Sequence, residues 1–140
     1  MVEIAGLTVA VGHGHAHVRD GLRQILLGEV HAAYVVEARN ADEMETLLKQ
    51  HHPRVIVLGD SFSGQPIQEQ LAIFRNIDPS MRCIVLSGYP HESVSALLLE
   101  AGADAVIMEE KIIDDLVPVI KSVLGEENNS CRGLVEDSLR

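Results

Sequence analysis

The sequence predicts an α/β domain built on a doubly wound, five-stranded parallel sheet of order 2-1-3-4-5. Three observations carry this prediction. Five short apolar runs, rich in Val and Ile, recur at regular spacing with little polar alternation, the pattern of strands covered on both faces. Amphipathic stripes of helical period lie between them. Five strands alternating with five helices, joined by right-handed crossovers, lead to this architecture.

The first run, Leu7 to Val11, precedes a stripe of Val18, Leu22, Ile25 and Leu26. The second, Ala33 to Glu37, leads into Asn40-Ala41-Asp42-Glu43, which has the spacing of a capping box, and then into Met44, Leu47 and Leu48. After the third run, Val55 to Leu58, Pro66 suits a first helical turn, Ile67, Leu71 and Phe74 form the stripe, and Asp78-Pro79 ends it. The fourth run, Cys83 to Ser87, precedes Val94, Leu97, Leu98 and Ala101, and Gly102 closes that helix. Leu97, Leu98 and Leu99 are consecutive, so they cannot all face the sheet, and one leucine is expected at the margin of the buried stripe. The fifth run is Ala105 to Met108. A last helix from about Ile113 to Leu124 carries Leu116, Ile120, Val123 and Leu124, and Pro118 requires it either to begin near Asp115 or to kink. Asp20, Glu43, Glu45 and Glu100 read as solvated helix faces. Residues 1–124 make one domain, and the polar residues 125–140 read as a tail or linker stub.

Composition narrows the function. A chain of 140 residues, 46% hydrophobic and without Trp, suits one aliphatic core. A formal charge of −10 argues against direct nucleic-acid binding, which needs a basic stripe. Cys83 lies in an apolar run and Cys131 in the polar tail, so no structural disulfide is expected. No apolar stretch is long enough to cross a membrane and no signal core opens the chain, so a cytoplasmic location is expected.

In doubly wound sheets ligands bind beyond the carboxyl ends of the strands, at the point where the strand order reverses. For a flavodoxin-like order that lies between the first and third strands. The candidate site therefore comprises His13-Gly14-His15, Gly59-Asp60-Ser61, Ser87-Gly88 and Glu109-Glu110.

Val18-Arg19-Asp20-Gly21-Leu22, the Pro53 to Leu58 strand, Asp78-Pro79 and Gly102-Ala103-Asp104 together resemble response-regulator receiver domains, CheY-like in fold and of the NarL/LuxR type, over roughly Leu7 to Leu124. The resemblance implies two acidic Mg²⁺ ligands after the first strand and a phospho-accepting Asp after the third. It also implies a hydroxyl after the fourth strand and a Lys after the fifth. The carboxylates would hold the metal, the Asp would attack, and the Lys and hydroxyl would bind phosphoryl oxygens. In this sequence the acidic pair becomes His13 and Gly14, the acceptor Gly59 and the lysine Glu109, while Ser87 keeps the hydroxyl. Val106 stands at the aromatic switch position. Four of these five chemical positions are changed, which implies a degenerate receiver, a pseudo-receiver outside phosphorelay chemistry, with neither enzymatic activity nor a cofactor.

Alternatives remain open. A local shift would bring Asp60 to the acceptor place and Lys111 to the lysine place, although successive side chains of an extended segment point to opposite faces. His13, His15 and His17, with His91 and with Asp60 or Glu109, could make a metal- or small-ligand-sensing site. The expectation is instead that the first helix begins near Ala16, disperses the histidines and leaves them solvated, with no metal bound. The glycines of Gly12-His13-Gly14-His15 match no nucleotide motif, and a cobalamin motif is met only at His15. The resemblance further implies an output face on the fourth helix, fifth strand and fifth helix, serving a protein partner or a homodimer. An effector domain could follow in a longer protein, although no helix-turn-helix pattern follows Leu124 in this sequence.

Overall fold

A computed structural model describes residues 7–59, 62, 66–88 and 92–125. The strands are β1 (Thr8–Gly12), β2 (Tyr34–Ala38), β3 (Val55–Gly59), β4 (Arg82–Ser87) and β5 (Ala105–Met108). The helices are α1 (Ala16–Gly28), α2 (Ala41–His51), α3 (Ile67–Ile77), α4 (Glu92–Glu100) and α5 (Ile112–Gly125), and a 3₁₀ turn (Glu109–Lys111) leads into α5. All pairings are parallel and the order is β2-β1-β3-β4-β5, as expected.

The pleat splits the core in two. Val9, Val11, Val55, Val57, Ile84, Leu86 and Ile107 pack with Leu22 and Leu26 of α1 and Leu116, Ile120 and Val123 of α5. Ala10, Ile56, Leu58, Cys83 and Val85 pack with Met44 and Leu48 of α2, Leu71 and Phe74 of α3, and Leu98 of α4. Both faces of β3 are buried throughout, which is why its sequence reads as an unbroken apolar run. β2 lies at the sheet edge with Tyr34 and Glu37 exposed, so it departs from the expected two-sided cover and begins one residue later than its apolar run.

Local signals act mostly where expected, with corrections. The Asn40 side chain accepts the Glu43 N–H at 3.0 Å, and the Glu43 carboxylate returns to the Arg39 N–H at 2.8 Å, one residue before the usual capping-box partner. Pro66 is the residue before α3 rather than inside its first turn. Gly102 takes φ +120°, the left-handed region that lets it follow α4. α5 begins at Ile112 and runs on through Pro118, earlier than Asp115. Of the three consecutive leucines, Leu98 is 3% exposed, whereas both Leu97 (55%) and Leu99 (47%) are open; two leave the core, not one, because each lies about 100° around the helix from Leu98.

The amino ends of the strands are tied by charge. The Arg75 guanidinium donates to the carbonyls of Pro79, Met81 and Gly102 and, at 2.7 Å, to Asp104. Asp104 also accepts the Cys83 N–H at 2.7 Å. Burial pushes the Cys83 thiol up to about 12. Among the described residues no helix is long and apolar enough to cross a membrane.

Candidate functional site

The register of the central strands creates the site. β1 and β3 pair Val11 with Val57 and Gly12 with Leu58. One step further, His13 and Gly59 inherit the face of Val9, Val11, Val55 and Val57. A Cβ on Gly59 would lie 2.6 Å from His13 Cδ2, 3.1 Å from Nε2 and 3.3 Å from Cγ. Carbon atoms in ordinary contact stand about 3.5–4.0 Å apart, so the imidazole occupies the space that any side chain at position 59 needs. Gly59 is extended strand without a positive φ, and space rather than backbone strain calls for glycine here.

The ring is fixed on both sides. His13 is 3% exposed. Its Nδ1 accepts the His15 backbone N–H at 3.1 Å, and its Nε2 lies 3.3 Å from Glu109 Oε2. A nitrogen that accepts carries no proton, so the hydrogen of the neutral ring sits on Nε2 and is donated to the Glu109 carboxylate. The backbone of His13 is held as well. Its N–H donates to the Ala38 carbonyl at 3.4 Å, and its carbonyl accepts from Arg19 Nη1 at 2.7 Å. The buried Arg19 also donates from Nε to Glu37 Oε1 at 3.3 Å. A polar chain Glu37–Arg19–His13–Glu109 thus links β2, α1, the loop after β1 and the end of β5 across the top of the sheet.

The remaining candidates surround this chain. Ser87, 1% exposed at the end of β4, lines with Gly88, Met108, Glu109 and Glu110 an open cavity of about 380 Å³. Gly14 is exposed, and a Cβ there would meet nothing within 4 Å. Val106 is half-buried opposite Val85 and packs on the core of α2, α3 and α4. Lys111 is exposed on the 3₁₀ turn. Asp60, Ser61 and His91 lie outside the described residues, as does the segment 126–140.

Two expectations about the histidines need correction. α1 does begin at Ala16, but His13 is a buried, bonded residue rather than a solvated loop side chain, because strand register carries it inward. The three rings are not dispersed either: centroids of His13 and His15 are 5.4 Å apart and those of His15 and His17 5.8 Å. Among the described residues no group of three or more His, Cys, Asp or Glu could hold a metal ion. Arg19 and Glu37 were missed by sequence reasoning. The advance signal for Arg19 was its place three and seven residues before Leu22 and Leu26, on the face they bury; Glu37, on the edge strand, carried none.

No protein-family model and no curated protein matches the sequence. Solved structures do. A two-component response regulator of the LuxR family from Aurantimonas is 23% identical with TM-score 0.76, covering 86% of each chain. A CheY-like response-regulator receiver domain protein from Methanospirillum hungatei is 25% identical with TM-score 0.78, covering 89% of this chain and 98% of its own. The signal receiver domain of the putative response regulator NarL from Mycobacterium tuberculosis is 21% identical with TM-score 0.76, covering 84% and 95%. The structural neighbours are CheY-like receiver domains of the LuxR/NarL kind, and the fold is theirs.

Proposed function

We propose that this receiver-fold chain is a cytoplasmic, non-enzymatic signal-transduction module that works without phosphorylation, through protein contacts. One observation carries the reading. At the place where the receiver resemblance calls for a phospho-accepting carboxylate stands Gly59, and the space above it is filled by the His13 ring, itself bonded to Glu109. A phosphoryl group there would meet a carboxylate where receiver chemistry uses a lysine. His13 and Gly14 offer no carboxylate pair for Mg²⁺. The pair His13–Glu109 joins the loop after β1 to the end of β5 by a hydrogen bond, in place of an acid and a lysine.

The test is incubation with acetyl phosphate and Mg²⁺ followed by intact-mass measurement. The expected result is no mass gain; a gain of one phosphoryl group that is absent in Asp60→Ala would replace this reading by phosphorylation of Asp60.

A module without a chemical input acts through its surface. The proposed face comprises α4, β5 and α5, and the exposure of Leu97 and Leu99 supports it. It would serve a homodimer or a heterologous partner, including an effector domain in a longer protein. The net charge of −10 opposes self-association, so a dimer should tighten as salt screens repulsion. Sedimentation of wild type, Leu97→Glu and Leu99→Glu across salt concentrations reads this. A wild-type monomer at high micromolar concentration in every salt would remove the homodimer.

A further inference from the structure

We infer that the pocket answers to a proton: as pH falls, His13 gains one from solvent at Nδ1, and that gain releases the chain at the start of α1 while leaving the ring tied to β5. This rests on the reading of the domain as one that does not take phosphate, and it supplies the input that reading lacks. Only the neutral ring with hydrogen on Nε2 satisfies both contacts, since Nδ1 must accept from the His15 N–H at 3.1 Å while Nε2 donates to Glu109. Protonation at Nδ1 sets one N–H against another, and that contact cannot persist. On the opposite side the bond to Glu109 becomes charge-assisted, tempered by solvent because the Glu109 side chain is 40% exposed. The response is therefore directional. His15 is the residue before α1 and its side chain caps nothing, so the contact to Nδ1 is a main tie of this short connection.

Among the described residues, the charged and titratable surroundings come from three elements. From the same loop and α1 come the His15 ring at 5.4 Å, His17 beyond it, and Arg19 on the His13 carbonyl. From β2 comes Glu37, which pairs with Arg19 at 3.3 Å. From the end of β5 come Glu109, with Glu110 and Lys111 on the same turn. β4 contributes Ser87, which does not titrate in this range, and Asp60 follows Gly59 in sequence outside the described residues. Histidine is the side chain that exchanges a proton most readily in this range, and His13 is a buried ring bonded on one side to the loop and on the other to the end of β5.

The test is an NMR titration of the whole chain carrying His15→Asn, which removes the neighbouring ring and keeps the backbone N–H. At neutral pH the His13 ring should read as the tautomer with hydrogen on Nε2. On acidification the ring and the residue-15 amide should titrate with one midpoint, and the protection factor of that amide should fall about tenfold, as loss of one backbone hydrogen bond implies. Glu109→Gln should leave the two signals coupled. A ring with hydrogen on Nδ1 at neutral pH, an amide indifferent to the ring, or a ring neutral until the domain unfolds would each overturn the proposal. Acetyl phosphate treatment in parallel separates the two ideas. Phosphoryl uptake would overturn a proton input in place of phosphate even with coupling intact, whereas failed coupling without uptake would overturn the proton link alone.

Discussion

Gly59→Ala is the smallest change that tests the site, because it adds one methyl group where the His13 ring lies. In an extended strand without positive φ, replacing Gly by Ala in open space would stabilise by about 0.4–1 kcal/mol through the unfolded chain. Here the new Cβ stands 2.6 Å from His13 Cδ2, close to 1 Å inside normal contact. The ring cannot yield without loss. It is buried, and swinging out would break its bonds to His15 and Glu109, each worth about 0.5–1.5 kcal/mol net. Shifting the strand instead incurs the overpacking cost of about 1–3 kcal/mol. Either route gives a destabilisation of about 1–3 kcal/mol, a loss of roughly 1 M in the urea midpoint. In a His13→Ala background the obstacle is gone, and Gly59→Ala should become neutral or slightly stabilising, leaving a coupling of about 1–4 kcal/mol in the double-mutant cycle. Gly59→Asp should show the same dependence, with the proximity of Glu109 adding to its cost. Urea melts of the four proteins decide it. A stabilising Gly59→Ala in wild type, or strict additivity with His13→Ala, would refute the packing of ring on glycine.

Three other outcomes are expected. Asp104→Ala should cost about 2–3 kcal/mol by stranding the Cys83 N–H and part of the Arg75 guanidinium, with Asp104→Asn costing about half, as read by thermal or denaturant unfolding. The Cys83 thiol, raised by burial to about 12 from an ordinary value of 9.0, makes folding insensitive to its ionisation below about pH 9. Above that the unfolded chain alone loses the proton, so between pH 8 and pH 10 wild type should lose about 1–1.5 kcal/mol more than Cys83→Ala in matched urea melts. Finally, Leu98→Ala should cost about 2–4 kcal/mol, whereas Leu97→Ala and Leu99→Ala should stay within about 0.5 kcal/mol, because only Leu98 is buried.

The sequence by itself determined the architecture. Strand and helix periodicities are local properties of side-chain alternation, and the unbroken apolar runs of β3 and β4 can only be buried on both faces, so a parallel sheet with helices on each side follows. Cap chemistry was legible for the same reason, since Asn40 and Glu43 meet within one turn. The locations of Gly59, Ser87 and Glu109 at the strand ends were legible too, because topology assigns the site to those ends. What only the tertiary structure decided was which of these residues touch. His13 and Glu109 are 96 positions apart, and His13 reaches Gly59 through a strand register that no pattern along the chain encodes. The same holds for Arg19: it shares a helix face with Leu22 and Leu26, but the partners of its guanidinium, the His13 carbonyl and Glu37, come from the loop after β1 and from β2 only once the sheet has docked. Pairings of this kind arise when separate strands dock, and their energy depends on angstrom-scale distances across the sheet rather than on the spacing of residues within any one element.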